Sequence, residues 1–300
     1  MRRRVFFGGM VAAAGVGGLA WAGEPPEGTT VVPATVYRQR DGRIEALRAE
    51  LAEANPKRFR AFVHRGSEGA EMACRLFVPE GLVAGAKAPL VVVLHGGTPR
   101  GNDTLAHITG KNPAVGAGIW TTAAVQEKHP CFVFAPQCPA EPAAWTKDLP
   151  LEAKTWAHPG QPAPAMAMVL AAIDSLLVEQ PVDPRRIYLA GASMGGFGTW
   201  DALARRPGFF AAAIPVCGGP AEGVIPTIAK VAVWIFHGGA DEVVPVEFSR
   251  RAFRELRKLG APVRYTEYEG SSHHMSPYAW TEPGVVEWLF AQATPQKVGQ

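Results

Sequence analysis

Ser193 stands between two glycines in Gly191-Ala192-Ser193-Met194-Gly195, a spacing that suits a serine able to attack. A serine hydroxyl is a weak nucleophile until a base takes its proton, and the base needs an acid to orient it. G-x-S-x-G puts the serine on a tight turn with its hydroxyl exposed, and the glycines let the flanking elements cross closely. Two later stretches hold the partners. His237-Gly238-Gly239-Ala240-Asp241-Glu242 offers an acid, Asp241, with Glu242 as the neighbouring alternative. Glu269-Gly270-Ser271-Ser272-His273-His274 offers a base. His273 is preferred because it comes first after the small residues, and His274 is the alternative. An earlier stretch, His95-Gly96-Gly97-Thr98, can bring the N–H of Gly97 to a developing oxyanion, beside the N–H of Met194. The chemistry these groups would perform is attack on a carbonyl carbon.

Each stretch needs an element to hold it, and each follows a short apolar run. Leu90–Leu94 precedes the His95 loop, Ile187–Ala190 precedes Ser193, Val231–Phe236 precedes Asp241, and Val263–Tyr268 precedes His273. Such runs fit strands covered on both faces. Further strands are expected at Phe59–His64, Glu71–Val78, Cys131–Ala135 and Ala211–Val216. Helices are expected at Ile44–Leu51 (on the surface), Ala117–Lys128, Pro164–Glu179, Glu247–Leu259 and Glu282–Gln292, and after Ser193. This alternation predicts an α/β fold, a mostly parallel sheet with helices on both faces. Catalytic groups in such sheets sit past the carboxyl ends of strands. G-x-S-x-G alone is short enough to arise by chance. Its weight comes from the chain order: oxyanion loop, serine, acid, histidine.

The long proline-rich loop from Pro136 to Pro164 carries Trp145 and Trp156. Loops of that length are usually functional, and this one is expected to shape the pocket. The other six histidines, His237 among them, read as satisfied loop or strand-end groups. No metal-ligand spacing accompanies His273 and His274, so no metal is expected. The four cysteines, Cys74, Cys131, Cys138 and Cys217, are expected to be free and buried. Cys131 and Cys138 flank a strand, and seven extended residues span roughly 23 Å, well beyond disulfide reach.

The formal charge of +3 comes from Arg2, Arg3 and Arg4; without them 27 basic side chains face 27 acidic ones. That balance gives no electrostatic case for nucleic acid or for a membrane surface in the mature form. The arginines begin an export signal over residues 1–22. A basic start leads into the apolar stretch Val5–Ala20, and Ala20-Trp21-Ala22 fits the cleavage rule. Arg3-Arg4-Val5-Phe6-Phe7 resembles a twin-arginine signal. Residues 23–58 read as a flexible leader and surface helix, and 59–295 as the catalytic domain. Export implies a periplasmic or extracellular location.

Several stretches resemble one superfamily. They are Leu94-His95-Gly96-Gly97 with Arg100-Gly101-Asn102-Asp103, Ala135-Pro136-Gln137-Cys138-Pro139, and Val182-Asp183-Pro184-Arg185-Arg186-Ile187-Tyr188 running into Gly191–Trp200. His237–Pro245 and Glu287-Trp288-Leu289-Phe290 complete the set. The sequence resembles the α/β-hydrolases over roughly residues 71–293. More narrowly, it is similar to exported bacterial esterases and predicted peptidases related to polyhydroxybutyrate depolymerases, feruloyl esterases and prolyl oligopeptidases. The resemblance implies an eight-stranded α/β-hydrolase sheet and a serine-hydrolase mechanism without cofactor or metal. It also implies His273 rather than His274 as base. His274 itself and Met275-Ser276 depart from the group's usual pattern. The substrate expected is a small-molecule or polysaccharide-linked ester. A peptide is the alternative, and a non-catalytic glycan-binding role through Trp145 or Trp156 is a third reading.

Overall fold

The computed structural model describes residues 25–66, 69–141, 143–147 and 156–295. The export signal expected at 1–22 lies outside them. In chain order the strands are β1 (Thr29–Val32), β2 (Arg60–Arg65), β3 (Glu71–Phe77), β4 (Ala88–Leu94), β5 (Phe132–Pro136), β6 (Val182–Ala192), β7 (Ala212–Val216), β8 (Ala232–Gly238) and β9 (Val263–Tyr268). The helices are α1 (Ala34–Tyr37), α2 (Asp41–Arg58), α3 (Ala106–Thr109), α4 (Pro113–Gly118), α5 (Ala123–Gln126), α6 (Pro164–Glu179), α7 (Met194–Arg205), α8 (Ile225–Ile228), α9 (Glu247–Lys258), α10 (Ser276–Trp280) and α11 (Val285–Phe290).

All nine strands join one sheet in the order β1-β9-β8-β7-β6-β4-β5-β3-β2. Pairing is parallel except around β3, which runs antiparallel to both β2 and β5. The central strands are apolar on both faces because helices cover both. Leu90, Val92, Leu94 and Leu189 point into one core with α6, α7 and α9. Val91, Val93, Tyr188 and Ala190 point into the other, with α4 and α11. The register sets Leu94 beside Gly191 and Ala192 beside Val216, so the carboxyl ends of β4, β6 and β7 meet where Ser193 stands.

Three expectations are corrected. Among the described residues the sheet has nine strands rather than eight. The extra strand lies in the stretch read as a flexible leader: Thr29-Thr30-Val31-Val32 pairs with Tyr265–Tyr268. Four β-branched residues suit a pleated edge, but the run is too short and too close to Gly and Pro to stand out. The surface helix also grows into α2, which buries Ile44, Leu51 and Asn55. Its Asn55 Nδ2 donates to the carbonyls of Ile108 and Ala114 at 2.7 and 3.0 Å, tying the helix to the elements around the site. The single helix expected over Ala117–Lys128 is instead α4, a 3-10 turn and α5.

Candidate active site

β6 ends at Ala192 and α7 begins at Met194, so Ser193 makes the turn by itself. Its backbone lies at φ 57° and ψ −118°, a conformation that costs a side-chain-bearing residue about 1–3 kcal/mol. The surroundings impose it. The Ser193 N–H donates to the Val216 carbonyl at 2.9 Å. A Cβ at Gly191 would lie 2.3 Å from the Gly195 oxygen, and one at Gly195 would lie 2.0 Å from the Leu94 oxygen. No side chain fits at either position, and this explains the two glycines of the motif.

The structure brings Ser193, His273 and Asp241 together. His273 Nε2 lies 2.8 Å from Ser193 Oγ, and His273 Nδ1 lies 2.7 Å from Asp241 Oδ2. An ionised carboxylate only accepts, so Nδ1 carries the proton and Nε2 is free to take one from the serine. The other oxygen of Asp241 accepts the N–H groups of Val243 and Val244 at 2.9 and 2.8 Å. One carboxylate thus closes its own turn and orients the histidine. Glu242 and His274 are exposed, and neither takes the place of its neighbour in this chain of contacts.

His237 is part of the site and was missed. It is buried, with Nε2 3.2 Å from Asp241 Oδ2 and 3.0 Å from the Val244 carbonyl. Both neighbours are acceptors, so Nε2 carries a proton. Nδ1 lies 2.7 Å from Ser249 Oγ, which also reaches the Gly218 carbonyl at 2.9 Å. As expected it is a satisfied strand-end group, but one of the groups it satisfies is the triad-like acid. The available signal was its place four residues before Asp241 at the end of β8. Burial alone would raise the Asp241 carboxyl. Hydrogen bonds from His237 and His273 and their nearby charge outweigh this and hold it well below the usual carboxylate range.

Gly97 and Ser193 line the same cavity. His95 Nδ1 sits 2.6 Å from the Gly96 carbonyl, and His95 Nε2 accepts the Cys138 N–H at 2.9 Å. In a trans peptide the C=O of Gly96 and the N–H of Gly97 point opposite ways, so the contact with His95 fixes where the Gly97 N–H is aimed. Burial pushes His95 down to about 3 and the neighbouring His107 down to about 4, so both are neutral near neutral pH. Met194 opens α7, where backbone N–H groups have no partner within the helix.

Two hollows meet at Ser193. One is a pocket of about 490 Å³ between the Val93–Gly116 segment and α10. The other is an open cleft of about 620 Å³ lined by Arg100, Ala140, Glu141, Val243 and His274. The Pro136–Pro164 loop therefore reaches the site through Ala140 and Glu141. Among its described residues none lines the 490 Å³ pocket, which is walled by α3, α4 and α10 instead. Trp145 and Trp156 are buried. Trp145 Nε1 donates to the His95 carbonyl at 2.9 Å and Trp156 Nε1 to the Gly219 carbonyl at 3.1 Å, so neither ring offers a glycan platform. The four cysteines are free and buried. The ligand atoms of Cys217, Asp241 and His273 lie within 4.8 Å of one another. Burial, and then the charge of Asp241, hold the Cys217 thiol well above its ordinary value. A protonated thiol is a poor metal ligand, and the acid and histidine already engage each other.

Comparison with known proteins agrees with this fold. A model described as the Dienelactone hydrolase family matches residues 144–277. A thermostable esterase of known structure is 38% identical with a TM-score of 0.73, over 79% of this chain and 64% of its own. Poly(3-hydroxyalkanoate) depolymerase C of Paucimonas lemoignei is 32% identical over 146 residues, which is 48% of this chain and 30% of that protein. A ferulic acid esterase shares the fold at 14% identity, with a TM-score of 0.56 over 78% of this chain and 98% of its own. The chain has an α/β-hydrolase fold and is similar to hydrolases of that superfamily. It spans less than two thirds of the depolymerase and of the thermostable esterase it resembles. Among the described residues no helix is long and apolar enough to cross a membrane.

Proposed function

We propose that the protein is an exported serine hydrolase of carboxylic esters. The observation that carries this reading is the unbroken contact series from Ser193 Oγ through His273 to Asp241, at 2.8 and 2.7 Å. Ser193 Oγ attacks the acyl carbon while His273 Nε2 takes its proton. Asp241 holds the imidazole in the Nδ1–H tautomer and balances the imidazolium. The N–H groups of Gly97 and Met194 receive the oxyanion, each worth about 2.7–4 kcal/mol in such sites. His273 then protonates the departing alcohol, and a water activated by the same histidine releases the acid from Ser193. The similarity to a thermostable esterase supports esters as the substrate class. The basic start, apolar stretch and Ala20-Trp21-Ala22 support export.

The test is hydrolysis of short p-nitrophenyl esters. Wild type is expected to turn them over and to be labelled by a fluorophosphonate at Ser193. Ser193→Ala is expected to lose at least about 10³-fold in kcat. Equal rates in the two proteins would overturn the assignment. Peptide substrates measured beside the esters decide between the two carbonyl classes.

A further inference from the structure

Trp280 lines the pocket beside Ser193. Trp280 closes α10 and is 2% exposed. Gly116 on α4 faces it: a Cβ there would lie 3.1 Å from Trp280 Nε1, so the absence of a side chain gives the ring its place. Trp280 also lines a second groove, of about 550 Å³, with Ile44, Leu47 and Val286 and with the charged Arg40, Arg43 and Glu282. Among the described residues no other is shared by the linings of the pocket and this groove. The indole is therefore the partition between them.

The two hollows at Ser193 also differ in chemistry. The pocket is walled by Val93, Ala106, Pro113, Gly116 and Trp280. Its buried histidines are neutral, and its one permanently charged residue, Lys111, is exposed. The open cleft carries the Arg100–Glu141 ion pair. An apolar group gains by entering the first, while a hydrated group keeps its water in the second.

We propose that Trp280 is a specificity-determining residue that sets the length of a compact apolar arm, and that the preferred substrate is an ester with one such arm and one polar arm. This rests on the serine-hydrolase reading above. With the indole removed, the pocket runs on into the α2–α11 groove, and chains too long for the wild type are accommodated.

The experiment measures kcat/KM for two ester series, p-nitrophenyl alkanoates of two to twelve carbons and acetates of linear alcohols of the same range. Wild type, Trp280→Phe and Trp280→Ala are compared, each first titrated by fluorophosphonate to count competent Ser193. In one series Trp280→Ala is expected to raise the ten-carbon to two-carbon ratio at least about tenfold. Trp280→Phe is expected to raise it about threefold, and this variant carries the test if the alanine form does not fold. A uniform change at every length in both series overturns the proposal, because a merely structural tryptophan would act that way. Labelled Ser193 with an unchanged profile defeats the partition alone, whereas unlabelled wild type defeats the serine-hydrolase reading itself.

Discussion

Asp241 carries more contacts than any other residue at the site. It closes its own loop through Val243 and Val244, orients His273 and accepts from His237. Its depressed carboxyl stays ionised throughout the working range, so a loss of activity on mild acidification does not come from Asp241. Removing the His237 donor costs a hydrogen bond to a charged group, typically about 1.5–3 kcal/mol. His237→Ala is expected to lower kcat roughly tenfold or more, with a smaller effect on KM. His237→Gln keeps a donor near the Nε2 position and is expected to recover part of the loss. Steady-state kinetics of the two variants check this, and equal losses would mean that His237 only fills space. Ser193, Asp241 and His273 were legible because small residues surround each of them at a strand end. His237 was not, since its role appears only once the loop after β8 folds back and returns Asp241 to it.

The segment from Pro99 to Ala106 shows how neighbouring elements set the loop that carries Gly97. Gln137, just past β5, accepts the Thr104 N–H at 2.8 Å and donates to the Pro99 carbonyl and the Asp103 carboxylate at 3.1 and 2.9 Å. Arg75 on β3 donates to the Thr104 carbonyl at 2.6 Å and to the Phe59 carbonyl at 2.8 Å. Gln137→Ala leaves a buried N–H and a carbonyl without partners, at about 1–3 kcal/mol each. The variant is expected to melt at lower temperature and to lose kcat more than it gains KM, as thermal unfolding and ester kinetics would show. The sequence marked both Arg100–Asp103 and Ala135–Pro139 by resemblance, and the Gln137 contacts give the physical link between them. The helices nearby were harder to read. Gly118 on α4 leaves no room for a Cβ, which would lie 2.5 Å from Asn55 Oδ1. The hydroxyls of Thr121 and Thr122 then bond back to the carbonyls of Gly118 and Ile119. These local bonds break what reads as one continuous helical pattern.

At the scale of the molecule, the buried imidazoles tie stability to pH. Burial holds His95 at about 3 and His107 at about 4, below the ordinary value of 6.5. Between those values and 6.5 the unfolded chain binds protons that the folded chain refuses. Stability is therefore full above pH 6.5 and falls as the pH drops toward 4, by on the order of 3 kcal/mol for each histidine. Urea unfolding at pH 7, 5.5 and 4 is expected to show a steep decline. His107→Gln is expected to flatten it, even if its stability at pH 7 is lower. The sheet itself was legible strand by strand from the apolar runs, except at its margin. There β1 contributes four residues, and its backbone alone occupies the outer rim of β9. The opposite rim, β2, is guarded by Arg60, His64 and Arg65, which discourage another strand from adding on. Without residues 29–32, β9 would offer a row of unpaired N–H and C=O groups to any extended chain nearby. The four residues of β1 thus leave the sheet a shorter open edge than β9 would: a chain clipped just before Ala34 is expected to keep its candidate site and still be lost to aggregation.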